Sequence, residues 1–154
     1  MTRYLNKNHQ SEMVDVLNGV LADTFVLYFK THAYHWNVEG VHFKQFHEMF
    51  GEQYTEMWQA TDDIAERIRA LGAYAPCNFD SLKKHASLTP AKTEKLDAVK
   101  MVAELAADHE KLSELIAKGI EKASEVGDEV TADILIGRQT VHDKTGWMLK
   151  SSAK

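Results

Sequence analysis

Apolar residues recur every three or four positions along four long stretches of the chain, which is the spacing of a helix with one buried face. The first stretch covers residues 11–36 and contains no proline. Residues 37–40 then break the pattern. The second stretch closes at Gly72, and glycine commonly ends helices because it adopts a left-handed backbone conformation without strain. The first half of the chain is therefore predicted to form two long helices joined by a short connection.

The second half of the chain also contains two periodic stretches, which follow a long interruption. Residues 73–95 carry both prolines and are predicted to form a crossover loop, with a short helix at Asp80–His85 whose first residue caps it. The third periodic stretch covers residues 96–126, and the fourth covers residues 128–148. This order predicts an all-α, ferritin-like four-helix bundle with a long crossover between the second and third long helices and a short extra helix within it.

Composition limits the class of protein. The chain has 154 residues, 44% of them hydrophobic, so it can bury a core as one domain covering residues 1–154. A net charge of −5 argues against a generally basic nucleic-acid-binding surface. The single cysteine excludes an internal disulfide and suits a reducing compartment. No stretch has the apolar length of a signal core or a membrane span, so we expect a cytoplasmic protein without membrane contact.

Scattered basic residues lie near both ends of the chain. Such charges can contact a polyanion, which keeps DNA binding and nucleoid association as a weaker expectation. Four scattered charges are more often simply solvated. These residues are Arg3, Lys7, Lys150 and Lys154.

Three residues of metal-ligating types, His47, Asp62 and Glu66, fall on the second predicted helix. At about 1.5 Å per helical residue, His47 and Asp62 lie roughly 22 Å apart. Two ligands of one ion each lie about 2.0–2.6 Å from it. One copy of the chain therefore cannot close such a site, whereas two antiparallel helices crossing at a two-fold axis can. The spacing predicts a metal centre at a dimer interface.

The acidic pair has a plainer interpretation. Asp62 and Glu66 are four residues apart, so their carboxylates share one helical face and can bind a divalent cation. Such pairs usually belong to a solvated face, and Arg67 and Arg69 are near enough in sequence to neutralise them. Both interpretations remain open from the sequence.

Histidines cluster around the first interhelical connection. His35 lies near the end of the first helix and the connection can fold it toward His47. His32 and His35 are three residues apart and form an alternative zinc-binding pair. Imidazole and carboxylate ligands without cysteine suit iron, manganese or zinc better than a soft metal. Ferritin-type di-iron bundles use two Glu-x-x-His motifs. The only match here, Glu39 to His42, contains a glycine, which disfavours an intrachain di-iron site.

Several segments of the chain together form a recognisable pattern. Its most specific part comprises HWNVxGxxF at residues 35–43, HE at 47–48, DxIAER at 62–67 and LG at 71–72. The pattern extends over nearly the whole chain through the ADHE segment at residues 107–110 and the KTxWML segment at residues 144–149. In these residues and spacings the chain resembles the Dps family of starvation-inducible mini-ferritins.

The resemblance implies a hollow shell of twelve subunits that acts as a ferroxidase. Iron(II) would be oxidised at two-fold interfaces, preferentially by hydrogen peroxide, and stored inside as ferric mineral, which protects against oxidative stress. Zinc and manganese are alternative metals for the same site. By this resemblance, His35 and His47 come from one subunit and Asp62 and Glu66 from its neighbour. Trp36 would lie beside the site, although it is also a plausible packed bundle aromatic.

The chain departs from the family at Gly51, where relatives usually place an aspartate or glutamate on the face that carries His47. The missing carboxylate predicts weaker binding of a second iron, with water in its place. Glu48 and Glu52 are the alternative substitutes. These two glutamates also match family positions that face the cavity and seed mineral, although ordinary helix solvation explains them equally well.

Two aspartates resemble the acidic lining of the family's iron-entry pores. They are Asp128 and Asp133, and Asp128 can also cap the fourth long helix. Two rival functions remain: a DNA-compacting structural shell whose ferroxidase is impaired by Gly51, and a zinc-binding interaction protein that uses His32 and His35.

Overall fold

Four long helices form a bundle in the computed structural model, which describes residues 2–154. The first two long helices pack together, the last two pack together, and the first contacts the third to join the pairs. Across residues 2–154 no strand is present. The predicted all-α, ferritin-like bundle with a long crossover is confirmed. The helices are α1 (Lys7–Asn37), α2 (Phe43–Ala70), α3 (Phe79–His85), α4 (Ala98–Val126) and α5 (Glu129–Ser152).

The predicted glycine stops are confirmed. Gly72 has a φ of 97° just after α2, and Gly127 has a φ of 77° at the end of α4. This left-handed region favours glycine because a Cβ atom is strained there. At the end of α4, the backbone N–H of Asp128 donates to the carbonyl of Ala123 over 2.8 Å, which satisfies one of the free carbonyls of the helix end.

The short crossover helix begins one residue earlier than predicted. Asn78 caps α3, since its side-chain oxygen accepts a hydrogen bond of 2.8 Å from the backbone N–H of Ser81. The prediction that Asp80 would be the cap is therefore wrong. Asp80 lies within the first turn, where its carboxylate still interacts favourably with the positive end of the helix.

Buried polar groups attach the crossover to the bundle. Asp23 of α1 is fully buried, and its carboxylate accepts from the backbone N–H groups of Ser87 and Leu88 over 2.7 and 2.9 Å. Lys30, about two helical turns further along α1, donates to the carbonyl oxygen of Thr89 in the crossover over 3.2 Å and to Asp108 of α4 over 2.8 Å. Each buried charge thus has partners, which offsets the cost of removing it from water.

None of the helices within residues 2–154 combines the length and apolar character needed to cross a membrane.

Candidate metal centre

The end of α1 and the first turns of α2 bring two imidazole rings into contact. The rings of His35 and His47 stack with centroids 3.7 Å apart and an interplanar angle of 18°. Both side chains are half-buried. The connection between the helices thus places these two residues side by side, as the sequence suggested.

Reciprocal hydrogen bonds orient the two rings. Nδ1 of His35 lies 2.6 Å from the carbonyl oxygen of His47, and Nδ1 of His47 lies 2.7 Å from the carbonyl oxygen of His35. Because a carbonyl oxygen can only accept, each Nδ1 carries the proton and donates it. In the neutral form of either ring, the lone pair is therefore on Nε2. Histidine ligands in metalloproteins are commonly fixed by such a bond on the opposite nitrogen.

The ring of His35 packs directly against Gly51. A Cβ atom at position 51 would lie 3.3 Å from Cε1 and 3.4 Å from Nδ1 of His35. The side chain would thus start at the Cε1–Nδ1 edge of the ring, and Nε2, the nitrogen that carries the lone pair, is not among the atoms within 4 Å of that Cβ. Only a long side chain such as glutamate could extend from position 51 toward a metal on Nε2, and the chain has none there.

Asp62 and Glu66 are exposed on α2, near its other end, and form no ion pair within residues 2–154. The arginines that could neutralise them have other partners. Arg67 donates to Asp128 over 2.7 Å. Arg69 stacks over the ring of Tyr74 at 4.2 Å. The acidic pair is therefore not a neutralised surface pair, and both carboxylates are free to bind a cation.

The imidazoles and the carboxylates do not meet within one chain. Helix α2 runs without interruption from Phe43 to Ala70, so His47 and Asp62 are held roughly 22 Å apart. Among residues 2–154, no three side chains of metal-ligating types come together. Each chain therefore carries two separate candidate half-sites: the histidine half-site (His35 and His47) and the carboxylate half-site (Asp62 and Glu66).

An apolar surface adjoins these half-sites. Asp62 lines a cavity of about 500 Å³ together with Trp58 and Phe79. The two aromatic side chains are 54% and 79% exposed. Trp36, beside the histidine half-site, is 56% exposed, so it is not a packed bundle aromatic within the single chain. Large aromatic surfaces of this kind mark protein–protein contacts.

A cluster of aromatic side chains that sequence reasoning missed lies between the half-sites. Tyr54 is stacked on His32 with centroids 3.8 Å apart. Tyr28 contacts both Tyr54 and Trp58, with centroids 6.3 and 5.1 Å apart. The i, i+4 spacing of Tyr54 and Trp58 places them on one face of α2, and this was the signal available in the sequence.

Glu48 and Glu52 are exposed on α2. Glu48 pairs with Lys44 over 3.9 Å. Both glutamates border the cavity next to Gly51, but neither carboxylate forms a hydrogen bond with a histidine within residues 2–154. Neither glutamate therefore supplies a carboxylate to the face of α2 that carries His47 and Gly51.

Asp128 and Asp133 differ sharply in environment. Asp128 is 0% exposed, and its carboxylate accepts from Arg67, from the Tyr4 hydroxyl and from the backbone N–H of Thr131. Its predicted capping role is confirmed. Its predicted exposure in a pore does not fit, because the carboxylate is enclosed and its hydrogen bonds are satisfied. Asp133, which is exposed, is the remaining candidate for that role.

A second histidine pair lies inside the bundle, but it is not suited to metal binding. Nη2 of Arg138 lies 3.2 Å from Nε2 of His142, and because arginine only donates, that nitrogen accepts. Burial lowers the pKa of His109 to about 3 and that of His142 well below its usual value, so both rings are neutral near pH 7. Nδ1 of His142 then donates to Nδ1 of His109 over 2.9 Å. The proton of His109 therefore lies on Nε2, which leaves no lone pair for a metal.

Comparison with known proteins supports a ferritin-like assignment. A family model described as a ferritin-like domain matches residues 14–153. DNA protection during starvation protein 2 of Bacillus anthracis is 36% identical over 140 residues, which cover 91% of this chain and 95% of that protein. The crystal structure of Dps from Staphylococcus aureus matches with a TM-score of 0.90 and 36% identity, over 94% of this chain and 97% of that one.

A second solved structure carries a description of its chemistry. Dps from Vibrio cholerae O1, described as a member of a broad superfamily of ferritin-like diiron-carboxylate proteins, matches with a TM-score of 0.92 and 30% identity. The match covers 97% of this chain and 94% of that one. The similarity thus includes the whole bundle and its crossover.

Proposed function

Because the chain belongs to the Dps family of ferritin-like proteins, we propose that it detoxifies and stores iron, as a single domain assembled into a shell of twelve copies. Iron(II) is the substrate, and it is oxidised at sites that two chains share. Hydrogen peroxide is the preferred oxidant, and the ferric product is stored as mineral inside the shell. The chain then acts as a ferroxidase in the cytoplasm and protects against oxidative stress.

The observation that carries this proposal is the pair of complementary half-sites on each chain. His35 and His47 present Nε2 lone pairs at one end of α2, and Asp62 and Glu66 present unpaired carboxylates near the other end. When two copies of α2 cross antiparallel, the histidines of each copy face the carboxylates of the other, and two complete sites result. The exposed aromatic surface around Trp58 becomes buried in the same contact.

The stacking of the two imidazole rings determines whether both histidines can bind the same metal ion. An ion on a histidine lone pair lies about 2.1 Å from the nitrogen and close to the plane of that ring. Since the rings are nearly parallel with centroids 3.7 Å apart, one ion cannot lie in both planes. Each histidine therefore serves a different ion. Asp62 and Glu66 hold the first iron tightly, and the second binds weakly because position 51 supplies no carboxylate.

The ligand set explains the direction of the reaction. Carboxylate oxygens are hard ligands and stabilise iron(III) more than iron(II), whereas imidazole is a borderline ligand that accepts both. Peroxide takes two electrons as its O–O bond breaks, and two protons complete two water molecules.

In the assembled shell, exposed Glu48 and Glu52 would seed the mineral and exposed Asp133 would line the entry pore.

The proposal is tested on the purified, metal-free shell. Light scattering should report about twelve chains per particle. Addition of iron(II) and then peroxide should oxidise two iron(II) ions per peroxide, with ferric absorbance that remains in solution. A DNA-compacting shell with impaired ferroxidase would instead retard DNA and leave peroxide unconsumed. Of the four basic residues near the ends of the chain, Lys150 is paired with Glu110. A zinc-binding interaction protein would purify with bound zinc and without ferroxidase activity.

Gly51→Glu should tighten binding of the second iron about tenfold or more, because a glutamate side chain can extend past the Cε1 edge of His35 and add a carboxylate to the histidine half-site. Iron(II) titration should show a second strong equivalent per site, and peroxide should oxidise the iron faster. Glutamate also favours the helix over glycine by several tenths of a kcal/mol.

Gly51→Ala is the matched control, because its Cβ crowds His35 in the same way without adding a ligand. If the alanine variant gained the second iron equally, or if neither variant did, the missing carboxylate would not be what limits the native site.

A further inference from the structure

A cavity of about 410 Å³ lies between α2, α4 and α5, and none of the four half-site residues lines it. Its walls are mainly apolar, and three methionines contribute to them: Met49, Met57 and Met148. The volume falls within the range of about 300–1,000 Å³ that is typical of small-molecule sites. The cavity is therefore large enough for a small organic ligand.

Two residues that line this cavity carry buried polar atoms without a hydrogen-bond partner within residues 2–154. These atoms are Nε2 of His109 and the side-chain oxygen Oε1 of Gln53. His109 is only 1% exposed. Because His142 donates to Nδ1 of His109, the ring proton of His109 lies on Nε2, which is an N–H donor. The cavity thus has one free donor from α4 and one free acceptor from α2.

The charged residues around the cavity favour a neutral ligand. Glu56 is paired with the buried side chain of Arg138, with an Nη2–Oε2 distance of 3.1 Å. Glu52 and Lys144 also line the cavity, but both are exposed to solvent and their charges are opposite. A charged ligand would therefore lose its hydration without meeting a buried partner of opposite charge, which costs free energy.

We propose that this cavity binds a small neutral aromatic alcohol, of the phenol class. One hydroxyl group both accepts and donates, so it accepts from Nε2 of His109 while it donates to Oε1 of Gln53. Both buried atoms then gain the partner whose absence costs free energy. The ring occupies the apolar part of the cavity, where methionine sulfur atoms make favourable contacts with aromatic rings. The two polar atoms select the hydroxyl group, and the methionines select the ring.

Phenol, anisole and toluene test the site on the purified, metal-free protein. Anisole keeps the oxygen but cannot donate a hydrogen bond, and toluene has no polar group. Ligand-observed NMR titration should show that phenol binds about tenfold or more tightly than either of the others, because only phenol satisfies both buried atoms. Equal affinity for all three compounds would overturn the proposal, since the two polar atoms would then have no part in ligand selection.

Gln53→Leu removes the acceptor while it keeps a side chain of similar size and high helix propensity. Its affinity for phenol should fall about tenfold, to that of toluene, whereas its affinity for toluene should not fall. Gln59→Leu is the matched control, because Gln59 is an exposed glutamine of α2 that does not line the cavity. It should bind phenol as the native chain does. Equal phenol affinity in the two variants would contradict the assigned role of Gln53.

A crystal structure of the native protein soaked in phenol locates the site without any substitution, so it decides the matter even if Gln53→Leu does not fold. The hydroxyl oxygen should lie within about 3.2 Å of Nε2 of His109 and Oε1 of Gln53. Phenol bound only elsewhere would overturn the proposal. None of these measurements involves iron, so a failure of the proposed function would leave their outcome unchanged.

Discussion

Shells made only of Asp62→Ala chains or only of His47→Ala chains should lose rapid iron(II) oxidation, whereas shells that contain both variants should recover about a quarter of the native rate. In random mixtures, half of the two-fold pairs contain one chain of each kind. In such a pair, one site combines both lesions and the other is intact. One quarter of all sites is therefore complete. Peroxide-driven ferric absorbance, normalised to protein, measures the recovery in shells produced by co-expression.

The matched control mixes Asp62→Ala with Glu66→Ala. Both lesions affect the carboxylate half-site, so every site in every pairing lacks at least one carboxylate and no recovery is expected. Recovery in the control equal to that in the test mixture would refute the assignment of histidines and carboxylates to opposite chains, as would the absence of recovery in shells proven to be mixed by mass spectrometry.

Asp128→Ala should destabilise the folded chain by about 3–5 kcal/mol, which is the typical effect of removing one partner of a buried ion pair. Arg67 would be left buried without its carboxylate, and the N-terminus of α5 would lose its cap. Thermal unfolding of the purified protein measures the loss. If Asp128 were instead an exposed pore residue, its replacement would change unfolding very little.

Asp133→Ala provides the comparison on the same helix. The side chain is exposed and has no ion-pair partner within residues 2–154, so stability should change by less than about 0.5 kcal/mol. If Asp133 lines the entry pore, iron uptake into the shell should slow while assembly of the shell remains normal. Equal losses of stability in the two variants would contradict the burial difference described above.

The bundle was predictable because helix ends and buried faces are local properties of the sequence. Gly72 and Gly127 adopt the left-handed backbone conformation that ends a helix, and the spacing of apolar residues determines which face is buried. The pairing of His35 with His47 was also accessible, since a short connection brings neighbouring helix ends together. The roughly 22 Å separation along α2 required only the rise of a helix.

Other features depended on contacts that are distant in sequence. The burial of Asp128 follows from Arg67 and Tyr4, more than 60 residues away, so pore lining and capping looked equally compatible before the fold was known. The contact of Tyr28 with Trp58 likewise crosses between α1 and α2. The packing of His35 against Gly51 also depends on the fold, and it shows that a side chain at position 51 would first meet the Cε1–Nδ1 edge of that ring.

The central claim is that iron binds between two chains. An anomalous-scattering map at the iron edge, from crystals soaked anaerobically in iron(II), tests it most directly. The strongest peak is expected within about 2.0–2.3 Å of Asp62 and Glu66 of one chain and a histidine Nε2, from His35 or His47, of its neighbour. A weaker second peak should lie near the other histidine. A strongest peak enclosed by the ligands of one chain, or no peak at this interface in crystals that contain iron elsewhere, would contradict it.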